Sequence, residues 1–421
     1  MKPIKAIFIL LFSILMGSRF TLPADSNNDI LPLGPSKYKF IIEKIEKDQV
    51  IRTASGKAVT LEDIVNQDPD TDVFIIGEAH DNYQCHSWQR DFIEALYKKY
   101  PKIIVGFEFF WREDNPILEQ WRKGQLTEDE VIKKTRWYER GAQHYGYTRL
   151  VMEILKKYQV KTIGLNVPRS ILHTVSSKGF AQLSAEEKQL FPTLNIPNPE
   201  HEYFIKSIFG TFAAQVPMWF KNIYAAQKCW DVVMAESLRE FLEKKEYKGY
   251  KGVIIAGSNH VAYKLGIPFR YQQAAPKAKI TTIVPILMPG EKTGEEEEEE
   301  VHPMMKMMGD SLKPAAIFSR GIADYVFAAD QPLHNYFPVI GLTVAEKNGK
   351  FVVTGVKKKS IAEKNGIAKE DQVTAIDGVP ITSLEQLRSL IAQKNWDDAI
   401  TFGIVKKIVI KKDTQKEIKK E

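Results

Sequence analysis

The chain has 421 residues, 44% of them hydrophobic, which is enough to bury a full core and, at roughly 100–200 residues per domain, to form two or three domains. The two cysteines, Cys85 and Cys229, are too few for a disulfide framework. The net charge is +6, and the excess lies largely in a lysine-rich C-terminal end with Lys406, Lys407, Lys411, Lys412, Lys416, Lys419 and Lys420, of which residues 411–421 form a basic tail. No aromatic stacking residues or base-reading module accompany this tail, so we expect a solvated end and no nucleic-acid partner.

The N-terminal segment has the pattern of a secretory signal peptide over residues 1–24. Lys2 and Lys5 precede an apolar stretch, residues 6–17, that is too short to span a bilayer comfortably. We therefore expect a periplasmic or extracytoplasmic protein, attached to a membrane only if the segment stays uncleaved. No cysteine follows the apolar stretch, which excludes a lipoprotein.

Four short apolar runs, rich in β-branched residues, are separated by long helical patterns. They cover residues 73–76, 103–107, 160–165 and 253–256. Runs of this kind are typical of parallel strands that are buried on both faces. They predict an α/β domain over residues 38–330, with a mostly parallel central sheet and flanking helices. An acidic, methionine-rich stretch at 291–310 is predicted to be a solvated insertion.

Each apolar run ends in polar, chemically capable residues. Because ligands bind beyond the carboxyl ends of parallel strands, we expect these residues to meet at one site. A divalent metal such as Mn, Co or Zn is one candidate occupant. Its predicted ligands are Glu78, His80, His86, Glu108 and His260. General acid–base catalysis by Glu78, His80, Glu108 and His260 is the alternative. A single Glu-x-His pair is more often a helix cap or an ion pair, but its combination with Glu108 and His260 favours a site.

The same region carries a family resemblance, which extends over roughly residues 40–275. The residues that carry it are Gly77, Glu78, Ala79, His80, Asp81, Asn82, His86, Gln89, Gly106, Phe107, Glu108, Tyr147, Asn166, Val167, Pro168, Arg169, Ala226, Gln227, Trp230, Asp231, Met234, Ala235, Gly257, Ser258, Asn259, His260, Val261, Gly266, Ile267 and Pro268. In this order they resemble the ChaN-like haem-binding proteins, whose superfamily also resembles the erythromycin esterases and the Tiki metalloproteases. The resemblance implies a bacterial exported haem-binding protein on a scaffold related to hydrolases.

The resemblance also implies haem held by tyrosine at a homodimer interface. Phenolate is a hard ligand that suits Fe(III). The cofactor-binding candidates are Tyr145, Tyr147, Arg169 and Asn166, with Tyr203, Tyr224 and Arg149 as further candidates. The alternatives are packed aromatic side chains with bonded hydroxyls for the tyrosines, and ordinary ion pairs for the arginines.

A separate module over residues 339–410 resembles a PDZ domain. The resemblance lies in the segments 341–344, 360–367 and 373–378 and in a predicted helix at 384–392. It implies a protein partner, whose C-terminal peptide is added as a strand and whose carboxylate is captured by the backbone N–H groups of Leu342, Thr343 and Val344. The alternative is a small β-domain that only packs against the core.

Taken together, the sequence favours an exported haem-binding protein with a PDZ module that recruits a protein partner. Two alternatives stay open. One is a metal-dependent esterase or peptidase with the PDZ module as substrate selector, and the other is a non-catalytic PDZ scaffold.

Overall fold

A computed structural model of the chain describes residues 30–31, 46, 48–67, 69–140, 142, 144–209, 212–288, 317–318, 321–330 and 336–406. The predicted signal peptide, the 291–310 insertion and the 411–421 tail lie outside these residues. The chain divides into two compact units. The first unit comprises Met1–Thr135 and Tyr147–Tyr336, and the second comprises Arg136–Gly146 and Phe337–Glu421.

The first unit is built on a mixed sheet in which, within the described residues, eight strands follow the order β3-β2-β10-β8-β4-β7-β5-β6. The strands are β2 (Val50–Arg52), β3 (Lys57–Val59), β4 (Val73–Glu78), β5 (Ile103–Trp111), β6 (Lys161–Asn166), β7 (Lys251–Gly257), β8 (Ile280–Met288) and β10 (Tyr325–Asp330). The six strands from β10 to β6 are parallel, and the β2–β3 hairpin adds antiparallel pairs at the other edge. Two further short strands, β1 (Ile30–Leu31) and β9 (Ile317–Phe318), pair with each other. The predicted α/β class is confirmed.

Helices and short 3-10 turns connect the strands of the first unit. The helices are α1 (Leu61–Gln67), α2 (Tyr83–Lys99), α3 (Asn115–Arg122), α4 (Glu128–Lys134), α5 (Tyr145–Lys157), α6 (Arg169–Lys178), α7 (Ala185–Gln189), α8 (Pro199–Phe209), α9 (Phe212–Gln215), α10 (Pro217–Leu242) and α11 (Ile267–Ala274). The 26-residue α10 packs its apolar face on the sheet, because residues such as Val232, Val233 and Leu238 are fully buried in the main core cluster. No helix in the described part of the chain is both long and apolar enough to cross a membrane.

The central strands are apolar on both faces, as buried parallel strands must be. All six residues of β4 are buried, and six of the seven residues of β7 are buried. The two strands are direct neighbours in parallel register, with Glu78 opposite Gly257 at their carboxyl ends. This register places the polar ends of β4 and β7 side by side.

The second unit is a small antiparallel domain, as the PDZ resemblance implied. Its strands are β11 (Leu342–Lys347), β12 (Lys350–Val356), β13 (Gln372–Ile376), β14 (Val379–Pro380) and β15 (Phe402–Val405). They pair in the order β11-β12-β13-β14, and β15 also pairs with β13. The helices α12 (Ile361–Lys364) and α13 (Leu384–Ala392) complete it, and the core includes Val353, Val373 and Leu387.

Two glycines let the strands β5 and β6 pack closely. A Cβ atom on Gly164 would lie 2.5 Å from the carbonyl carbon of Trp111, which is backbone. A Cβ atom on Gly106 would lie 2.8 Å from Cγ of Leu165, which is a movable side chain. The first collision can be relieved only by separating the two strands, whereas a rotamer change can relieve the second.

We therefore predict that Gly164→Ala destabilises the first unit more than Gly106→Ala does. Overpacking by a methyl group costs about 1–3 kcal/mol where side chains can adjust, and Gly106→Ala should fall in that range. Gly164→Ala should exceed it. Urea unfolding followed by tryptophan fluorescence measures both free energies of unfolding, and an equal or larger loss for Gly106→Ala would contradict this account.

Candidate functional site

The candidate site lies at the carboxyl edge of the sheet, where β4, β7 and β5 are adjacent. Glu78 is the last residue of β4, Glu108 lies within β5, and His260 belongs to the short turn after β7. All three side chains are buried. The site residues named from strand ends therefore come together, although they form two linked groups.

The first group is centred on the Glu78 carboxylate. His80 Nδ1 donates to Glu78 Oε1 at 2.8 Å, Gln89 Nε2 donates to Oε2 at 2.9 Å, and His86 Nδ1 lies 3.7 Å from Oε2. His86 is itself held by a 3.0 Å hydrogen bond from its Nε2 to the His80 carbonyl oxygen. The carboxylate thus has donors on both oxygens in a buried setting.

This pairing fixes the charge states of the two central residues. Burial opposes ionisation of Glu78, but the nearby His86 and the hydrogen bonds from His80 and Gln89 lower the pKa of Glu78 to about 2. Burial likewise opposes the charged form of His80, but Glu78, then Glu108 and Asp81, raise the pKa of His80 above its usual value. The dyad is a carboxylate beside an imidazole whose charged form that carboxylate favours.

The second group is centred on His260. The Nδ1 atom of His260 donates to Asp231 Oδ1 at 2.6 Å and lies 2.9 Å from the Gln227 amide nitrogen. The Nε2 atom of His260 lies 3.5 Å from Glu108 Oε1. Burial opposes the charged imidazolium, but Glu108 and Asp231 together raise the pKa of His260. His260 is therefore held between two carboxylates.

Gly257 joins the two groups. Its backbone N–H donates to Glu108 Oε2 at 2.7 Å, which orients that carboxylate. A Cβ atom at Gly257 would lie 3.0 Å from both Cε1 and Nε2 of His80 and 3.7 Å from Glu108 Oε2. A side chain at this position would press on the His80 ring, so the glycine lets that ring lie close to β7 and Glu108.

Helical residues that sequence reasoning did not assign to the site complete the second group. Gln227 and Asp231 lie one turn apart on α10, and both are fully buried. Behind them, His201 Nε2 lies 3.6 Å from Asp231 Oδ2, and Arg270 Nη1 donates to the Thr193 and Ile196 carbonyls. Gln227 and Asp231 could have been found from their i, i+4 spacing within the family motif. His201 and Arg270 carry no such signal.

The arrangement suits proton transfer between paired carboxylates and imidazoles. No group of three or more His, Cys, Asp or Glu side chains in the described residues is arranged to hold a metal ion, so a divalent metal at Glu78, His80, His86, Glu108 and His260 is not supported. Cys85 does not add a reactive thiolate, because burial raises the pKa of its thiol.

The four residues that the sequence analysis named as cofactor-binding are mostly buried or bonded to other residues of the chain. Tyr145 is fully buried and packs edge-on against Trp137, with ring centroids 5.1 Å apart. Tyr147 is also buried, and burial, followed by the charge of Asp81, raises its pKa to about 12. Asn166 donates to the Glu108 carbonyl oxygen and accepts from the Val167 N–H. Arg169, the first residue of α6, is half-buried.

The further arginine and tyrosine candidates are also partnered. Arg149 forms a two-oxygen ion pair with Glu128, with its Nε 2.9 Å from each carboxylate oxygen. The Tyr224 hydroxyl donates to the Asn198 carbonyl oxygen at 3.1 Å. These contacts match the alternatives of an ordinary ion pair and a packed tyrosine with a bonded hydroxyl.

A second pair of tyrosines near the site was missed by the sequence analysis. Tyr83 is the first residue of α2, directly after the loop that carries His80, and its ring stacks on Tyr336 at 3.8 Å. Tyr336 is 47% exposed. A hydrogen bond with Tyr83, together with partial burial, raises the pKa of Tyr336. This pair presents phenol oxygens and an aromatic face closer to solvent than Tyr145 or Tyr147 does.

In the second unit, the residues predicted to bind a peptide lie on an open strand edge. Leu342, Thr343 and Val344 begin β11, which pairs with β12 on one side and has no other strand partner among the described residues. Gly341, just before them, has φ +80°, a left-handed conformation that favours glycine. The geometry suits strand addition, and carboxylate capture at these residues stays a prediction.

Comparison with solved structures gives similar chains at low identity. A ChaN of Campylobacter jejuni, described for cofacial haem binding, is 18% identical over 68% of this chain and 98% of that chain, with a TM-score of 0.46. A Bacillus cereus protein is 12% identical over 65% and 92%, with a TM-score of 0.35. A mutant of the erythromycin esterase EreC in its open conformation is 10% identical over 66% and 96%, with a TM-score of 0.35. No curated protein matches the chain.

Two family models match consecutive parts of the sequence. Residues 64–270 match the family described as haem-binding uptake, Tiki superfamily, ChaN. Residues 338–418 match the PDZ domain. The first match covers the strands and helices that build the carboxyl-edge site, and the second covers the antiparallel sheet of the second unit. The chain therefore combines a domain of the ChaN-like haem-binding family, in the Tiki superfamily, with a C-terminal PDZ domain.

Proposed function

We propose that this protein binds haem through its first unit and recruits a protein partner through its PDZ domain. The observation that carries the proposal is the match of residues 64–270 to a haem-binding family, followed directly in the same chain by a PDZ match. If bound, haem would supply a ferric centre that a phenol oxygen of this chain would hold.

The Tyr83–Tyr336 pair is better placed to supply this ligand than the buried tyrosines are. A phenolate must reach a large planar group, and Tyr145 and Tyr147 are 0% and 3% exposed. Tyr336 is 47% exposed and its ring stacks on Tyr83, so this pair offers phenol oxygens that a planar group can reach. We therefore assign the haem ligand to the Tyr83–Tyr336 pair.

Titration of the full-length protein with haemin should give a saturable Soret band with the charge-transfer features of a high-spin ferric phenolate. Whichever of Tyr336→Phe and Tyr83→Phe removes the ligand oxygen should weaken binding about tenfold or more. Tyr250→Phe is the matched control, since Tyr250 lies at the opposite, amino end of β7.

Two results would contradict this assignment. Loss of the band in Tyr147→Phe alone would mean that the ligand is one of the buried tyrosines named in the sequence analysis. The absence of any saturable band with the unsubstituted protein would remove the haem proposal itself.

The PDZ part of the proposal rests on the open edge of β11. An extended peptide can pair there as a further antiparallel strand, while the turn at Gly341 directs backbone N–H groups toward the peptide's terminal carboxylate. Val344 and Leu384, both partly buried beside the core of the unit, offer an apolar contact for the last side chain.

Amidation of the peptide terminus should lower its affinity for the full-length protein about tenfold or more. It removes the negative charge that the backbone donors capture, and a hydrogen bond to a charged group contributes about 1.5–3 kcal/mol. Fluorescence anisotropy with paired free-acid and amide peptides measures the ratio. A loss of affinity below about twofold would mean that the groove does not bind the terminal carboxylate.

A second candidate function is acid–base hydrolysis at the carboxyl-edge site. The observation that favours it is the Glu78–His80 hydrogen bond of 2.8 Å, which leaves His80 Nε2 facing Glu108 across Gly257. A carboxylate that orients an imidazole through one nitrogen directs proton transfer to the other nitrogen. The proposal uses only these side chains and does not depend on a metal.

If this candidate holds, hydrolysis of p-nitrophenyl esters should fall about 10²-fold or more in His80→Gln. The raised pKa of His80 means that a basic imidazole appears only above the ordinary value of 6.5, so the rate should rise with pH through a higher midpoint. Glu78→Gln should move that midpoint to lower pH, because the carboxylate that stabilises the imidazolium is gone. His173→Gln on α6 is the control, and an unchanged rate in His80→Gln would exclude the dyad.

A further inference from the structure

A run of three lysines lies beside the start of the open β11 edge. Lys357, Lys358 and Lys359 follow the last residue of β12, and all three are exposed. Because β11 and β12 are antiparallel, the end of β12 lies opposite the beginning of β11, with Val356 opposite Leu342. The lysines therefore sit at the end of the groove where a peptide carboxylate would be captured.

Direct contacts fix this loop to the Gly341 turn. The Lys357 N–H donates to the Gly341 carbonyl oxygen at 2.8 Å, and a Cβ atom on Gly341 would lie 3.5 Å from Cβ of Lys357. The lysine side chain thus starts beside the turn. Its flexible stem is long enough to carry the ammonium group toward a ligand bound there.

The charge at this end of the strand pair is unbalanced. Within the described residues, no ion pair joins the ammonium groups of Lys357, Lys358 or Lys359 to a carboxylate. Glu363 contacts the loop, but its Oε2 accepts from the Lys359 backbone N–H at 2.6 Å. At the opposite end, Lys347 pairs with Glu370 at 3.8 Å. The excess of positive charge is local to the Gly341 end.

We propose that the PDZ groove selects C-terminal peptides that carry acidic side chains next to the terminal residue, through Lys357 and Lys358. The proposal rests on peptide capture by the PDZ domain and names the partner class. Backbone pairing along β11 is the same for every sequence, so it cannot distinguish peptides. The lysines can, because charges within about 8 Å interact at physiological ionic strength.

The test compares two heptapeptides with free carboxylates, one ending Glu-Glu-Val and one ending Gln-Gln-Val, on the full-length protein. The unsubstituted protein should bind the acidic peptide about threefold to tenfold more tightly, and high salt should reduce the difference. The double variant K357Q/K358Q should lose this preference and keep its affinity for the neutral peptide. The matched control K347Q/K350Q removes the same charge at the far end of the β11–β12 pair, where Lys347 lies opposite Lys350, about 20 Å away, and should retain the preference.

Each outcome decides the question. Equal affinity for both peptides in the unsubstituted protein would overturn the selectivity but leave peptide capture intact. Lysine-dependent binding to phosphatidylglycerol vesicles without any peptide preference would assign the loop to a membrane surface and would also overturn it. Failure to bind either peptide would instead reject the PDZ part of the proposed function.

Discussion

The burial of two histidine–carboxylate pairs at one edge of a parallel sheet is the constraint on which the first unit depends. A buried charge without a partner is strongly unfavourable, and removal of one member of a buried pair costs about 3–5 kcal/mol. Glu78 therefore has donors on both carboxylate oxygens, and His260 lies between Glu108 and Asp231. Such networks contribute little net stability compared with an apolar core of the same shape. Stability alone therefore does not account for a buried network of this kind at a strand edge.

The order of the strands in the sheet places the two histidine–carboxylate pairs next to each other. β7 lies between β4 and β5, so a residue at the end of β7 is adjacent to both carboxylates. That residue is Gly257, which donates its N–H to Glu108 and leaves room for the His80 ring. A side chain there would separate the two groups. The link between the groups therefore depends on a missing Cβ atom as much as on any polar contact.

The sequence analysis identified the site residues at the strand ends but few of the site residues on the helices. Glu78, His80, Glu108 and His260 could be placed because strand ends converge in any parallel sheet, whatever the details of packing. Asp231 and His201 depend instead on how α10 and α8 rotate over the sheet, which is set by apolar contacts with no local signature. The Tyr83–Tyr336 stack joins positions some 250 residues apart, and nothing near either tyrosine indicates the other. The PDZ module was predictable because its turn and strand pattern is local.

The second unit shows that a module boundary in sequence need not be a boundary in structure. Residues 136–146, which sequence assigns to the α/β domain, pack within this unit. The Glu385 carboxylate on α13 accepts from the Tyr138 and Glu139 N–H groups, and Arg388 donates to the Tyr138 carbonyl oxygen. Burial raises the pKa of Glu385, and the two N–H donors oppose that shift. A fragment limited to residues 339–410 would lose both donors to Glu385, the second residue of the helix that flanks the groove. The structural unit that presents the peptide edge is therefore the one that includes residues 136–146.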